Sequence, residues 1–353
     1  MKQHIVITGA SGLVGRALLS KYLDHGHPVI ALCRKPPLLP APNPLLSWHR
    51  ADVSLPRLGL DPATYAEVCA KARMLFHLAA RTDFKDATAT SYLPVNLEGV
   101  QHALALAQKA EAPLHHVSTA FVCGEWPGEF READLDLGQG FRNGYEESKF
   151  LGESFLHGTM ATGTPVPITI YRPGIVVERT PSAASGKTFG PFLFLDAVAR
   201  LREMAATDDA GPAALRVQGN RTAHLPLVFD DAVAEALVRL AAKPESAGRV
   251  FQLVAPEPVG NLLLEDAFNE AFGQPAARFA GMEEFKAQPA NSLEALLARK
   301  TTPYAAYLNL SVRFTRHNLD ALAGADSLPT PNQAELAQAF RSFLAARSQR
   351  GAT

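Results

Sequence analysis

The sequence predicts an α/β protein built on a doubly wound parallel sheet, with a smaller lobe toward the C-terminus. Three observations carry that expectation. Short apolar runs of strand length alternate with amphipathic helix patterns over the first half of the chain, an order that calls for parallel strands joined by helical crossovers. The first run, Ile5-Val6-Ile7-Thr8, passes through a glycine-rich turn into a helix pattern that Gly26 closes. With 353 residues, 47% of them apolar, the chain can fill one large core and an appended lobe.

In chain order, the expected strands are 4–8, 29–33, 46–50, 74–78, 114–118 and 168–172. The expected helices between them are 12–25, 61–71, 93–110 and 145–159. Ligands in such sheets bind beyond the carboxyl ends of the strands, where each motif below falls. The segment Lys35–Pro44 carries Pro36, Pro37, Pro40, Pro42 and Pro44, which excludes helix and central strand and predicts a stiff surface loop. After about residue 175 the alternation breaks down. Thr180–Gly190 reads as a mobile loop, 192–204 and 230–242 as helices, and Ala206–Pro212 as a polar turn. Residues from about Ser348 are expected to fray.

A formal net charge of −1 without long basic runs argues against a nucleic-acid partner. No apolar run is long enough to span a bilayer, and Met1 leads into a strand rather than a signal peptide. Cys33, Cys69 and Cys123 lack metal-ligand spacing and read as reduced structural residues, so a cytoplasmic location is expected. No internal repeat is evident. The adjacent His115 and His116 suggest no metal site, because neighbours on a strand point to opposite faces.

The segment Gly9-Ala10-Ser11-Gly12-Leu13-Val14-Gly15 is the strongest local signal. A helix start offers unpaired N–H groups and a positive dipole end, suited to a dinucleotide pyrophosphate. Gly9 allows the turn, Gly12 lets backbone approach phosphate, and Gly15 lets the helix pack on the strand. The second strand ends Ala31-Leu32-Cys33-Arg34-Lys35, with no carboxylate to hold a ribose hydroxyl and a guanidinium in its place. A guanidinium can hold a 2′-phosphate with two charge-assisted bonds, so Arg34, helped by Lys35 and Arg16, predicts NADP(H) as the cofactor.

The Gly-x-x-Gly-x-x-Gly spacing, followed about 130 residues later by Tyr145-x-x-x-Lys149, resembles the extended short-chain dehydrogenase/reductase superfamily. That resemblance implies a Rossmann fold whose later part supplies a substrate lobe, dividing the chain into 1–175 and 176–353 with some later segments returning to the core. It places Asp52 and Val53 at the adenine, and Leu78, Ala79 and Ala80, after a packed His77, over the ribose and phosphates. Arg172, Pro173, Gly174 and Ile175 fall beside the nicotinamide, with backbone contacts and Arg172 holding the loop. It also implies Thr119 as the hydroxyl that holds a substrate carbonyl, with Ser118 next to it in register, and Asn96 as support for a proton relay. Some members dimerise through the helices carrying Asn96 and Tyr145, which leaves a homodimer open without fixing the oligomeric state.

The chemistry requires these residue types. Hydride arriving at a carbonyl carbon creates an oxyanion to be protonated, and a phenol is a poor acid at neutral pH. A neighbouring ammonium lowers the phenol pKa toward the working range, and a spacing of four puts Tyr145 and Lys149 on one helix face, both within reach of the nicotinamide ribose. Glu146 and Glu147 read as a solvated first helical turn.

Three segments resemble one branch of the superfamily, the thioester reductases and fatty acyl-CoA reductases with a male-sterility-type NAD-binding domain. They are His77-Leu78-Ala79-Ala80-Arg81-Thr82-Asp83-Phe84, His116-Val117-Ser118-Thr119-Ala120-Phe121-Val122 and Asn143-Gly144-Tyr145-Glu146-Glu147-Ser148-Lys149-Phe150. The resemblance covers 1–175 and thins from 176 on, where Leu225–Asp231 echoes only the superfamily. Phe121 stands where a Tyr is frequent, and Cys123 lies near the site edge. The branch implies NADPH-dependent reduction of an acyl thioester to an aldehyde, with further reduction to an alcohol open. With no adenylation or carrier domain in the sequence, the thioester is expected in trans, on CoA or a carrier protein, and Lys187 in Gly186-Lys187-Thr188 is a candidate for its phosphate. A carbonyl reductase or hydroxysteroid-type dehydrogenase is the alternative. Sugar-nucleotide epimerases usually keep an acid after strand two, and non-catalytic sensors usually lose the Tyr or Lys.

Overall fold

The computed structural model describes residues 3–35, 43–182, 190–205 and 213–351. Pro36, Pro37, Pro40 and Pro42, the centre of the Thr180–Gly190 loop with Gly186, Lys187 and Thr188, and the Ala206–Pro212 turn lie outside the described residues. The chain divides into two compact units.

The first unit comprises Met1–Gly174, Asp230–Val254 and Arg313–Leu328. Its centre is a seven-stranded sheet of β1 (His4–Thr8), β2 (Val29–Cys33), β3 (Leu46–Arg50), β4 (Ala72–His77), β5 (Leu114–Val117), β6 (Ile168–Pro173) and β7 (Val250–Leu253). The order is β7-β6-β5-β4-β1-β2-β3 and every pairing is parallel. Strand order reverses between β1 and β4, the switch point at which doubly wound sheets bind ligands. Inner strands are buried on both faces, as parallel strands covered by helices must be: all residues of β2 and β6 are buried, whereas edge strand β3 is half-exposed. Val6, Ile30, Leu75, Leu114 and Ile168 form one core with Val100, Ala103, Leu104 and Ala107 of a crossover helix.

The helices are α1 (Leu13–Asp24), α2 (Pro62–Lys71), α3 (Glu98–Ala110), α4 (Gly144–Thr162) and α5 (Asp230–Ala241). Asp61 caps α2 by accepting from the Ala63 and Thr64 amides, with Pro62 in the first turn. Asn143 caps α4 through the Glu146 amide. The continuous helix expected over 93–110 is two pieces, a turn at Leu93–Asn96 and then α3, with the break at Leu97, whose φ of −112° is stretched but stays in the right-handed region.

Strand β7 escaped the sequence reading. It is four residues long and enters the sheet only after a long excursion, so no alternation announces it.

The second unit comprises Ile175–Phe229, Ala255–Val312 and Pro329–Thr353. It holds short strand pairs, Ile175–Val177 with Leu227–Phe229 and Leu215–Gln218 with Ala277–Ala280, among helices Pro191–Ala205, Asn261–Phe272, Ser292–Thr301 and Gln333–Gly351. The last helix runs to Gly351, past Ser348, from which fraying is expected. Asn332 and Glu335 cap it reciprocally, and Phe340 and Phe343 pack on Phe268 and Phe192. Cys33, Cys69 and Cys123 are all free and buried. No described helix is long and apolar enough to cross a membrane.

Candidate active site

The carboxyl ends of β1 and β4 are tied together. The Thr8 hydroxyl lies 2.8 Å from His77 Nδ1 and accepts from the Ala79 amide at 3.3 Å, while the Leu78 amide donates to the Thr8 carbonyl at 3.2 Å. Leu78, Ala79 and Ala80 are thereby held, partly exposed, at the sheet edge. Gly9 turns away from β1 at φ +71°, so close to this segment that a Cβ would stand 2.7 Å from the Ala79 nitrogen. A Cβ on Gly15 would strike the Gly9 carbonyl. Gly12 begins α1 with no side chain capping it and no acid in the first turn, and Ser11 and Gly12 are exposed while Leu13 and Val14 are partly so.

This end can take an anion, and the glycines leave room for it. Arg34 and Lys35 are exposed beyond β2. Asp52 follows β3, accepting from the Ser54 hydroxyl at 2.7 Å and amide at 3.0 Å. Those bonds, with Arg34 nearby, hold its carboxyl below the usual range. Val53 is buried, its carbonyl 2.9 Å from His102 Nδ1. The donor set therefore fits a dinucleotide, and the charge after β2 is positive.

The second half of the site joins β5 to α4. Thr119 follows β5 and is buried, its hydroxyl accepting from the Phe121 amide at 3.3 Å and lying beside the Tyr145 phenol. Tyr145, in the first turn of α4, is partly exposed and packs against Phe84 with ring centroids 5.4 Å apart. One turn on, Lys149 is 2% exposed; its Nζ donates to the Val117 carbonyl at 2.9 Å and sits 3.5 Å from His116 Nε2. A further turn on, Glu153 is fully buried against Arg172, at 2.8 and 2.5 Å.

Four of the expected site residues have specific surroundings. Tyr145 was expected to be lowered by Lys149. Instead burial pushes the phenol up to about 12, Thr119 opposes the rise, and Glu146, expected in a solvated turn but fully buried beside Arg142, adds to it. The physical reason is that the Lys149 ammonium is turned to Val117 and His116; burial lowers it to about 8, with Glu153 pulling it back up. The Asn96 side chain is engaged by its neighbours. Its oxygen accepts from the Arg81 amide at 2.8 Å, and its nitrogen donates to the Arg81 carbonyl at 3.0 Å and the Ser148 hydroxyl at 2.8 Å. It is a clasp between the 78–81 turn and α4.

Arg172 directs its guanidinium inward, to Glu153 and to the Arg131 and Asp134 carbonyls, so only its backbone could meet a cofactor. The Ser118 hydroxyl lies beside the Glu153 carboxylate rather than facing outward. Pro173 ends β6 beside Leu253, the Gly174 amide donates to the Leu253 carbonyl at 3.1 Å, and Ile175 opens the second unit.

His115 and His116 do point to opposite faces, toward Tyr171 and Lys149 respectively. Among the described residues no cluster of His, Cys, Asp and Glu is arranged to hold a metal. The sequence reading missed the inward neighbours of Lys149. Glu153 was findable from its helical spacing; His116 was not, because only the fold brings β5 against α4.

Comparison with known proteins identifies the family and the fold. Residues 43–236 match the male sterility protein family of NAD-binding domains. A polyketide synthase–nonribosomal peptide synthetase of Aspergillus flavipes is 27% identical over 297 residues, 75% of this chain but 7% of the synthetase. The chain thus spans less than a tenth of that relative's length. Among solved structures, the terminal R domain from the myxalamid PKS-NRPS pathway aligns with TM-score 0.77 and 22% identity, covering 99% of this chain and 91% of that one. A thiolation-reductase di-domain from an archaeal non-ribosomal peptide synthetase aligns with TM-score 0.71 and 17% identity, covering 99% and 76%. At those identities the likeness is one of fold. The sequence match, spanning more than half of the chain, places this protein in the male sterility protein family of NAD-binding domains, within the thioester reductase and fatty acyl-CoA reductase branch of the extended short-chain dehydrogenase/reductase superfamily.

Proposed function

We propose that this chain is an NADPH-dependent reductase that converts an acyl thioester, delivered on a carrier protein or on CoA, into an aldehyde. The observation that carries the reading is the convergence of the Thr119 hydroxyl, the Tyr145 phenol and the buried Lys149 ammonium where β5 meets α4. The synthetases and the thiolation-reductase di-domain among its relatives favour a carrier-bound substrate.

The glycine turn and the start of α1 would hold the pyrophosphate, Arg34 the 2′-phosphate, and Tyr145 and Lys149 the nicotinamide ribose. The bound nicotinamide supplies the hydride. Thr119 donates a hydrogen bond to the thioester carbonyl oxygen and fixes it beside Tyr145. As the carbonyl carbon becomes tetrahedral its oxygen turns anionic, and Tyr145 protonates it. A phenol raised to about 12 is fully protonated at neutral pH, so Tyr145 begins as the acid that reduction needs. The hemithioacetal then gives up its O–H proton, the carbonyl re-forms, the C–S bond breaks, the thiolate leaves with that proton as thiol, and Tyr145 regains its proton from solvent.

The test is to follow NADPH oxidation and thiol release together, with acyl-phosphopantetheine and acyl-CoA thioesters against free aldehydes and ketones. One thiol released per NADPH consumed in the first reduction supports the proposal. Oxidation of NADPH by free carbonyls alone would refute thioester reduction and assign a carbonyl reductase.

A further inference from the structure

We infer that His116 is a positioning residue for Lys149, its Nε2 serving as the second acceptor that holds the ammonium in place. The inference rests on the reading that Lys149 works at the reacting centre. Lys149 is buried, and the Val117 carbonyl at 2.9 Å satisfies only one of its three protons. The next polar atom is His116 Nε2 at 3.5 Å, on a fully buried ring. An N–H at that position would face a donor, so the imidazole carries its proton on Nδ1. That Nδ1 has no protein partner. Leaving a buried N–H unpaired is costly, and here it is the consequence of presenting a lone pair to Lys149.

The surroundings keep His116 neutral. Burial, the Lys149 charge and His77 all lower its proton affinity. His77, from β4, stacks on it at 5.4 Å between centroids and 21° between planes, and is itself depressed to about 3 by burial and Lys149. Other groups also stand near Lys149. Ser118, just after β5, lies by Glu153; one carboxylate oxygen of Glu153, on α4, is bound by Arg172 of β6, while the other has no hydrogen-bond partner and the carboxylate raises Lys149 through its charge. Tyr145 of α4 bonds with Thr119, and Asn96 bonds with Arg81 and Ser148.

The experiment compares His116→Gln with His116→Met, two side chains of equal length of which only the first offers a strong acceptor, the thioether sulfur being a weak one. Lys149 is followed directly by NMR titration of the full chain labelled with ε-carbon-13 lysine, its resonance assigned by its absence in Lys149→Met. Removing an acceptor destabilises the charged ammonium, so His116→Met is expected to lower the Lys149 pKa by about one unit, tenfold in its ionisation constant. His116→Gln is expected to stay close to wild type, and the alkaline limb of kcat to move with the NMR value. Should His116→Met fail to fold, His116→Asn, whose carboxamide is too short to reach, takes its place. An unchanged Lys149 titration in His116→Met or His116→Asn, or an equal shift in the Gln variant, overturns the proposal. The titration needs no substrate, so failure of the thioester reading leaves this result standing.

Discussion

Tyr145 and Lys149 sit one helical turn apart, yet burial drives them in opposite directions, the phenol up to about 12 and the ammonium down to about 8. Each shift disfavours the charged form in a dry site. On the proposed mechanism, Tyr145 starts as an acid across the physiological range and the titration of Lys149 limits activity. Turnover is expected to fall as pH rises through about 8, where Lys149 loses its charge; a pH profile of kcat flat to well above that value would contradict this.

At the opposite end of the candidate site, Arg34 is exposed beside Asp52, whose carboxylate is already engaged by Ser54. Removing a charge-assisted contact costs about 1.5–3 kcal/mol, so Arg34→Ala is expected to weaken NADPH binding by roughly tenfold to a hundredfold and NADH binding far less. Equal losses in a fluorescence titration would remove Arg34 from phosphate recognition. That Tyr145 and Lys149 share a helix face was legible from their spacing, whereas Thr119 was singled out by the superfamily resemblance. The acceptors of Lys149 were not legible, since Val117 and His116 meet it only once β5 packs against α4.

Helix α4 works through one face. Tyr145, Lys149 and Glu153 follow each other at single-turn spacing, and the third member is bound to Arg172 of β6, which in turn holds the Arg131 and Asp134 carbonyls. This buried pair anchors the helix to the sheet and to the segment after β5. Burial alone would raise Glu153; Arg172, His157 and Ser118 outweigh it and bring the carboxyl down to about 2. Its contribution to stability is thus present above the unfolded-state value of about 4.3 and lost as pH falls toward 2.

Breaking the pair strands a charge, so Arg172→Met is expected to cost about 3–5 kcal/mol in urea unfolding, and Arg172→Met with Glu153→Leu to recover much of that. A double variant as unstable as the single one would contradict the account. The first six strands lay within a few residues of their sequence bounds because each is an apolar run between turn signals. Helix 93–110 was misjudged at Leu97, where the turn bearing Asn96 is drawn close enough to α4 that a Cβ on Gly152 would strike the Asn96 carbonyl.

The chain builds its two units by leaving and returning. It departs from the first unit after Gly174, comes back at Asp230 for α5 and β7, leaves again, and returns at Arg313. That interleaving is why the periodic signal fails near residue 175: strand and helix patterns there belong alternately to different cores, and β7 has no sequence neighbour in its own sheet. The returning segments are integral to the first unit. The buried Glu132 carboxylate accepts from the Gln252 amide at 3.1 Å and the Asn318 amide at 2.6 Å, joining three distant stretches of chain at one point. No such knot can be read from one sequence, whereas the nucleotide-binding half, continuous from His4 to Pro173, could be.

The central claim is that Tyr145 protonates a thioester carbonyl oxygen as hydride reaches its carbon. Its most direct test is a single-turnover experiment with NADPH and an acyl-phosphopantetheine thioester, comparing wild type with Tyr145→Phe and reading NADPH oxidation, thiol release and NADPH affinity in parallel. Loss of general-acid assistance predicts a fall in the rate of about 10²–10⁴-fold, with NADPH affinity little changed. A Tyr145→Phe variant that releases thiol at the wild-type rate would contradict it.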